Sequence, residues 1–184
     1  MNANTEIDIA KLYAAIVADI KAQYPQLVTV EFDRDERAEF EVPACLLELT
    51  EWEPHDLDPG TEQQAVMARF EARIILGFKT PKVKLEMRKL AAAMTAWIRT
   101  RRWSNPDVPG KKLPTGAAEF MGAAPDSFNP ELDKFEVWTI EWQQVLHFGE
   151  SVWNDEGTTP TDVLVSFSPA VGLDHGATYT EITP

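Results

Sequence analysis

The side chains best able to carry chemistry in this sequence are its three histidines, and their spacing gives them no common site. His55, His147 and His175 lie far apart in the chain, and none has a partner at the spacing of a helical or hairpin metal site. Only His55 has carboxylates beside it, in the segment 53–58, which a surface loop explains better than a metal site does. We therefore predict that the histidines bind no metal.

Asp33 and Asp35 have the spacing that begins a calcium-binding loop, but the remainder of that motif is missing. The later positions require a third oxygen ligand, a glycine and a final glutamate. They are occupied by Arg37, Ala38 and Ala44. The calcium hypothesis therefore fails on the sequence alone.

The single cysteine, Cys45, lies between Ala44 and Leu46, where a thiol acts as a small core residue. It can form no internal disulfide, so packing alone must stabilise the fold. The sequence has no nucleophile elbow, phosphate-binding glycine loop or dinucleotide motif. Two of its 30 carboxylates could form an acid–base pair, but among so many carboxylates a pair is no evidence of catalysis. We predict no enzyme, no catalytic residue, no cofactor and no metal.

Charge is the most unusual property of the sequence. Thirty acids against seventeen bases give a net charge of -13. The segment 79–112 holds ten bases and two acids, which is 10 − 2 = +8, so the remainder carries -13 − 8 = -21. Such polarity suits head-to-tail contacts between copies, which close into rings; a solvated helix face is the alternative. The candidate subunit interface consists of Arg99, Arg101, Arg102, Lys111 and Lys112.

The pattern of apolar residues predicts both the fold class and the domain organisation. The order of elements predicts an α+β fold, with a mainly antiparallel sheet flanked by two amphipathic helices and an extended C-terminal arm. We place the domain at 1–149 and the arm at 150–184, with one strand at 163–167 in the arm. The predicted helices span 5–23 and 81–102, and the predicted strands span 28–32, 44–52, 64–78, 117–121 and 135–148.

Local motifs predict where the helices begin and which strand centres the core. Thr5 and Asp8 resemble a capping box, and Thr80 followed by Pro81 resembles a cap with proline at the first helical position. The strand 135–148 places large apolar side chains on one face, which should form the centre of the core. These side chains are Trp138, Ile140, Trp142, Leu146 and Phe148.

Several of these segments together resemble the tail terminator (tail completion) proteins of long-tailed bacteriophages. The resemblance rests on the opening helix 7–23, on Val42-Pro43-Ala44 with Glu48, on the strand 68–75 and on the helix 81–102. It continues in the strand from Trp138 to Trp142 with Gly149 after it, and in the closing Phe167-Ser168-Pro169, Gly172-Leu173 and Tyr179. It spans nearly the whole chain, with the segment 103–134 and the arm matching least.

The resemblance implies a structural virion protein that assembles as a homohexameric ring. Such a ring caps the head-proximal end of the tail tube, stops tube growth and presents a docking surface to the head-closure or neck protein. Its implied partners are further copies of itself and the tail tube protein, with the sheath as a further candidate. Two alternatives remain. One is another neck ring, such as a head-closure or adaptor protein, and the other is a small acidic cytoplasmic enzyme.

The resemblance also implies that DNA passes through the ring without specific binding, and the acidic composition agrees. Phosphate backbones are bound mainly by Lys and Arg, so an excess of carboxylates disfavours contact with the genome. The acidic segment 33–41 is predicted to be a loop, and its Asp33, Asp35, Glu36 and Glu39 are our candidates for lining the lumen.

The hydropathy of the chain predicts no contact with a membrane. No run approaches the roughly 18 apolar residues of a membrane span. The first residues lack the basic start and apolar stretch of a secretory signal. The resemblance to tail terminators implies a protein that is made in the host bacterial cytoplasm and ends in the virion tail or neck.

Overall fold

A computed structural model of the chain describes residues 6–33, 40–56, 60–126, 135–152 and 163–182. It confirms the predicted α+β class, with a five-stranded, mostly antiparallel sheet and two main helices. The elements are α1 (Ile9–Gln23), β1 (Thr29–Phe32), β2 (Ala44–Pro54), β3 (Gln64–Gly77), α2 (Val83–Ile98), β4 (Glu119–Pro125), β5 (Phe135–Phe148), β6 (Val163–Val165), a short 3-10 helix (Leu173–Thr178) and β7 (Thr180–Ile182). The sheet order is β1-β2-β3-β5-β4, and only β1 and β2 run parallel.

Helix α1 starts one turn later than its predicted capping motif. The Asp8 carboxylate accepts hydrogen bonds from the backbone N–H of Ala10 at 2.9 Å and of Lys11 at 3.2 Å, so Asp8 itself is the N-cap. The predicted capping box from Thr5 is therefore wrong, although the predicted apolar stripe is confirmed. The buried side chains of α1 are Leu12, Ala15, Ile16 and Ile20.

Helix α2 also begins and ends inside its predicted bounds. Its N-cap is Lys82 in a left-handed conformation (φ 53°) with no side-chain capping bond, so the predicted start at Thr80 and Pro81 is wrong. The helix ends after Ile98 because Arg99 turns out of the helical conformation (ψ 126°), and Thr100 after it is left-handed (φ 64°). Its predicted stripe is confirmed by the buried Met87, Ala91, Met94 and Ile98.

Both helices pack on one face of the sheet, where the two long strands supply the core. Alternate residues of β3 are buried, as the period of two predicts. Phe70 stacks on Trp142 of β5 with ring centroids 5.3 Å apart, and Trp142 lies 6.1 Å from Trp103. Trp103 lies one residue past the predicted end of the second helix, and its side chain is fully buried.

A buried amide, that of Gln144, links this aromatic core to the chain after α2. Its Oε1 accepts the indole N–H of Trp103 at 2.6 Å and that of Trp142 at 3.3 Å. Its Nε2 donates to the backbone carbonyls of Gly116 at 2.9 Å and Arg101 at 3.2 Å. Every polar atom of this side chain therefore has a partner, as a buried amide requires.

The C-terminal arm is attached to the domain only through its first residues, within the part of the chain described. Gln63 donates to the carbonyl of Gly149 at 2.7 Å, and Val152 donates to the carbonyl of Thr61 at 3.0 Å. Residues 149–152 therefore lie against the start of β3, past the predicted boundary at 149. Further along, β6 pairs with β7 in a separate two-stranded sheet, of which only β6 was predicted.

We expect Gln144→Met to lower the free energy of unfolding by about 3 kcal/mol, because two indole donors and two carbonyls lose a buried partner. Methionine keeps the length and the unbranched shape of the side chain. Urea denaturation checks the value. Gln143→Met is the control. Among the described residues the Gln143 side chain bonds only the exposed Glu119, at 3.0 Å, so this change should alter stability by no more than about 0.5 kcal/mol. Equal stability of Gln144→Met and wild type would contradict the role assigned to the amide.

Candidate functional site

The predicted basic cluster lies on a segment that the core holds rigidly. After α2 ends, the backbone N–H of Thr100 donates to the carbonyl of Ala118 at 2.8 Å, and Ala118 donates back to the carbonyl of Arg101 at 2.9 Å. The Gln144 amide binds the same Arg101 carbonyl. Asp19 of α1 accepts the backbone N–H of Ser104 at 2.9 Å. The basic side chains therefore project from a backbone that is fixed to both the sheet and α1.

Four of the five predicted interface residues surround one groove, which we call the basic groove. Its volume is 510 Å³. Lys111 is exposed on the loop beside it and does not line it. The lining residues are Ala96, Trp97, Arg99, Thr100, Arg101, Arg102 and Lys112.

The cations of the basic groove have few partners within the described residues. The Arg101 guanidinium lies 4.1 Å from the centre of the Trp97 ring, in a cation–π contact. Lys112 donates to the Ser104 hydroxyl at 3.0 Å. Neither Arg99 nor Arg102 forms an ion pair or hydrogen bond through its side chain with any residue in those ranges. Two guanidinium groups are thus exposed and ready to bind carboxylates.

Opposite charge collects on the sheet face that α1 and α2 leave uncovered, which we call the open face. Residues side by side in adjacent antiparallel strands share a face, so the register places Glu48, Glu71 and Glu141 in one row and Glu51, Arg69 and Gln143 in the next. The charged residues that the register assigns to this face sum to 2 − 8 = -6. They are Glu31, Glu48, Glu51, Glu53, Glu71, Glu119, Asp126 and Glu141, with Arg69 and Arg73.

Arg73 compensates part of this negative charge. Its guanidinium lies 2.6 Å from Glu71, 3.1 Å from Glu48 and 3.9 Å from Asp126. Arg69 pairs with Glu51. Glu141 lies directly opposite Glu71 and has no ion-pair partner among the described residues. The open face therefore keeps an excess of carboxylates that could receive cations from another molecule.

Only one of the four predicted lumen residues lies in the described part of the chain. Asp33 is exposed at the end of β1, with a positive φ of 50°. Burial raises the pKa of Tyr13, and the negative charge of Asp33 beside it raises that pKa further. Asp35, Glu36 and Glu39 lie outside the described residues, so their grouping stays a prediction.

Two histidines that are distant in the chain, His55 and His147, lie near one another in the structure. His55 donates its backbone N–H to Ala65 at 3.0 Å, and Ala65 pairs with His147 across β3 and β5. Burial lowers the pKa of His147, and the nearby His55 charge lowers it further. No group of three or more His, Cys, Asp or Glu side chains suited to a metal ion occurs in the described residues.

Cys45 has the environment that its sequence context predicts. Its side chain is fully buried in the core, and burial raises the pKa of the thiol to about 12. A thiol needs a lowered pKa to act as a nucleophile near neutral pH. Cys45 is therefore a core residue and not a reactive one.

Helix length and composition bear on the membrane prediction. In the described ranges, no helix is both long enough and apolar enough to cross a bilayer.

Sequence reasoning missed the open face, although the alternation of charged and apolar residues along β3 could have revealed it. The charged positions Arg69, Glu71 and Arg73 alternate with the core residues of β3, and the same alternation in β5 brings Glu141 beside them.

We expect the stability of the protein to fall as the pH is lowered through the range near 6.5, because of His147. Its pKa in the folded protein is below the ordinary value of 6.5, so the unfolded chain binds the proton more readily. The stabilising effect is present above that ordinary value and is lost as the pH falls through the folded pKa. Urea denaturation between pH 7.5 and 5 should show a weaker pH dependence for His147→Gln. His175→Gln, at an exposed position in the 3-10 helix, is the control and should keep the wild-type slope; identical slopes for all three would contradict the assignment.

Comparison with known proteins leaves the site to be interpreted from its own geometry. No protein-family model and no curated protein sequence matches the chain.

Proposed function

We propose that this chain is a non-catalytic virion protein, a bacteriophage tail terminator that assembles as a ring on the head-proximal end of the tail tube. One observation carries the proposal. The exposed guanidinium groups of Arg99 and Arg102 lie at the end of α2, on the helical side of the domain. The carboxylates of the open face, such as Glu141, lie on the opposite side of the sheet. Because they are on different sides, they can pair between copies and not within one.

Head-to-tail pairing of these two surfaces supports a ring. A contact between unlike patches is heterologous, and its repetition forms a ring where the repeated rotation completes a full turn. Each exposed ion pair contributes about 0–1 kcal/mol, so no single pair dominates. Several pairs at each of six interfaces would set the register and the rate of assembly.

The acidic remainder of the protein suits a channel for DNA. Six copies would carry 6 × -13 = -78. Like charge disfavours phosphate contact while the genome moves through the lumen. The acidic segment that begins with Asp33 is the proposed lining. The partners in this function are the tail tube protein below and a head-closure or neck protein above.

The function is tested by adding purified protein to tail tubes that lack a terminator. We expect a ring at one tube end in negative-stain images, tubes that stop elongating, and no tight binding of duplex DNA by the ring. A ring that binds away from the tube end, at the portal or the neck, would support a different connector protein. Tubes that continue to grow at a saturating concentration of the protein would contradict the proposal.

Charge reversal tests the interface itself. Arg99→Glu with Arg102→Glu should leave the monomer folded, since neither side chain has a described partner, and should weaken self-association about tenfold through repulsion at each contact. Glu53→Lys with Glu141→Lys should weaken it similarly from the other surface, since both side chains are exposed on the open face. Analytical ultracentrifugation measures both effects, and raised salt should weaken assembly of the unmodified protein in the same direction.

An equal mixture of the two variants gives the sharpest result. Alternating copies restore every contact, because the reversed groove then meets the reversed open face and the two unmodified surfaces meet each other. A ring with an even number of subunits can close in this pattern, so we expect the mixture to assemble where each variant alone does not. Lys79→Glu with Lys84→Glu makes the same charge change at the other end of α2 and should assemble normally. Failure of the mixture to recover would refute pairing between the two surfaces.

A further inference from the structure

The C-terminal arm exposes apolar side chains that a folded protein normally covers. Phe167 is 83% exposed and Leu164 is 58% exposed, and Leu173 in the 3-10 helix is fully exposed. Strands β6 and β7 contact one another but none of the other described strands or helices. An isolated two-stranded sheet is marginally stable in water, so this part of the arm requires a surface to pack on.

A second groove, between α2 and β4, is a surface of the right chemistry. Its volume is 360 Å³, and a cavity of about 150 Å³ holds a benzene ring. The indole N–H of Trp138 is buried beside it without an acceptor among the described residues, which is uncommon for a buried donor. The walls of this α2–β4 groove are mainly apolar and are formed by Ala92, Thr95, Ala96, Phe120, Ala123 and Trp138.

The sheet edge next to the groove is also open. β4 is the last strand of its sheet, so one side of its backbone has no strand partner within the described residues. Phe120 and Met121 on this strand are exposed. An edge strand with exposed apolar side chains is a template for pairing with another strand. An arriving strand would gain backbone hydrogen bonds from β4 and apolar contacts from the groove together.

The charges of the arm and the groove are complementary. Arg88 and Arg99 border the groove. The segment 150–184 contains no lysine or arginine and six acids, namely Glu150, Asp155, Glu156, Asp162, Asp174 and Glu181. Attraction between these charges would favour the encounter.

The reach of the chain favours the arm of a second copy over the same copy's own arm. Val152 is bound beyond the end of β5, and β5 extends about 33 Å from Phe148 back to Trp138 at roughly 3.3 Å per residue. Residues 153–162 separate Val152 from Val163 by eleven Cα–Cα steps, which span at most about 36–40 Å when fully extended. A copy's own β6 could therefore reach Phe120, at the near end of the groove beside Trp142, about 20 Å along β5. It could lie beside Trp138, at the far end, only with this linker nearly straight, which is entropically unfavourable.

We propose that the arm of one copy docks in the α2–β4 groove of a second copy, with β6 along the edge of β4 and with Leu164 and Phe167 inserted in the groove. This contact rests on the self-association in the proposed function and names the surfaces that hold neighbouring subunits together. It differs from the charge contact at the basic groove, because its core is apolar and should persist in high salt.

Disulfide trapping between two singly substituted, full-length proteins tests the docking. One carries Phe167→Cys and the other, bearing a tag, carries Ala92→Cys in the groove wall. Cys45 can stay in place, because it is fully buried and its pKa is raised to about 12. We expect a mixed disulfide dimer at about twice the monomer mass of 20.7 kDa on a non-reducing gel. Ala93→Cys is the matched control, since Ala93 is exposed one residue further along α2 but does not line the groove.

The outcomes separate this contact from the other possibilities. A mixed dimer with Ala92→Cys and little with Ala93→Cys supports docking between copies, and trapping should survive 1 M salt. The proposal would be overturned by equal trapping at both positions, by no trapping, or by trapping only within the double variant Ala92→Cys with Phe167→Cys. As a second readout, Phe167→Ser should weaken self-association about tenfold without loss of stability. If trapping succeeds but tail tubes are not capped, the arm contact stands and the proposed function fails. If a ring forms and caps tubes but no disulfide is trapped, the proposed function stands and the arm contact fails.

Discussion

The amide of Gln144 is the interaction on which the arrangement of the surface depends. It accepts from two indoles and donates to two backbone carbonyls, so it fixes the chain after α2 against β5 from inside the core. One of those carbonyls belongs to Arg101. The direction in which Arg99 and Arg102 project is therefore set by a buried polar network, which is specific because each of its members must keep its partner.

The two-layer architecture explains why the charges of this protein are separated in space. Both helices cover the same face of the sheet, so the other face carries its polar residues into solvent. One end of that face is apolar, where Phe40, Val42 and Phe135 pack against a small second cluster. The remainder holds a row of glutamates that one guanidinium, that of Arg73, partly compensates. Like charges directly opposite one another on adjacent strands repel, so cations from another molecule would stabilise this row.

Two kinds of contact between copies would then act together in the proposed ring. Pairing of the basic groove with the open face is long-ranged, weak per pair and sensitive to salt, which suits the choice of partner and register. Docking of the arm buries aromatic and aliphatic groups and extends the sheet, which suits retention of the partner once it is bound. Arg99 borders both grooves, so the two contacts meet at the C-terminal end of α2.

The sequence by itself determined the elements, because periodicity is a local property: the stripe of α2 and the alternation in β3 and β5 predicted which side chains are buried. It determined the role of Cys45 and the existence of a basic segment for the same reason. Local motifs failed at the helix starts, where Asp8 and Lys82 took the capping positions. Tertiary structure alone decided that His55 approaches His147, that Gln144 joins two tryptophans, and that Glu48, Glu71 and Glu141 form one row. Strand register creates these contacts between residues distant in the chain, and no pattern within a single segment specifies it.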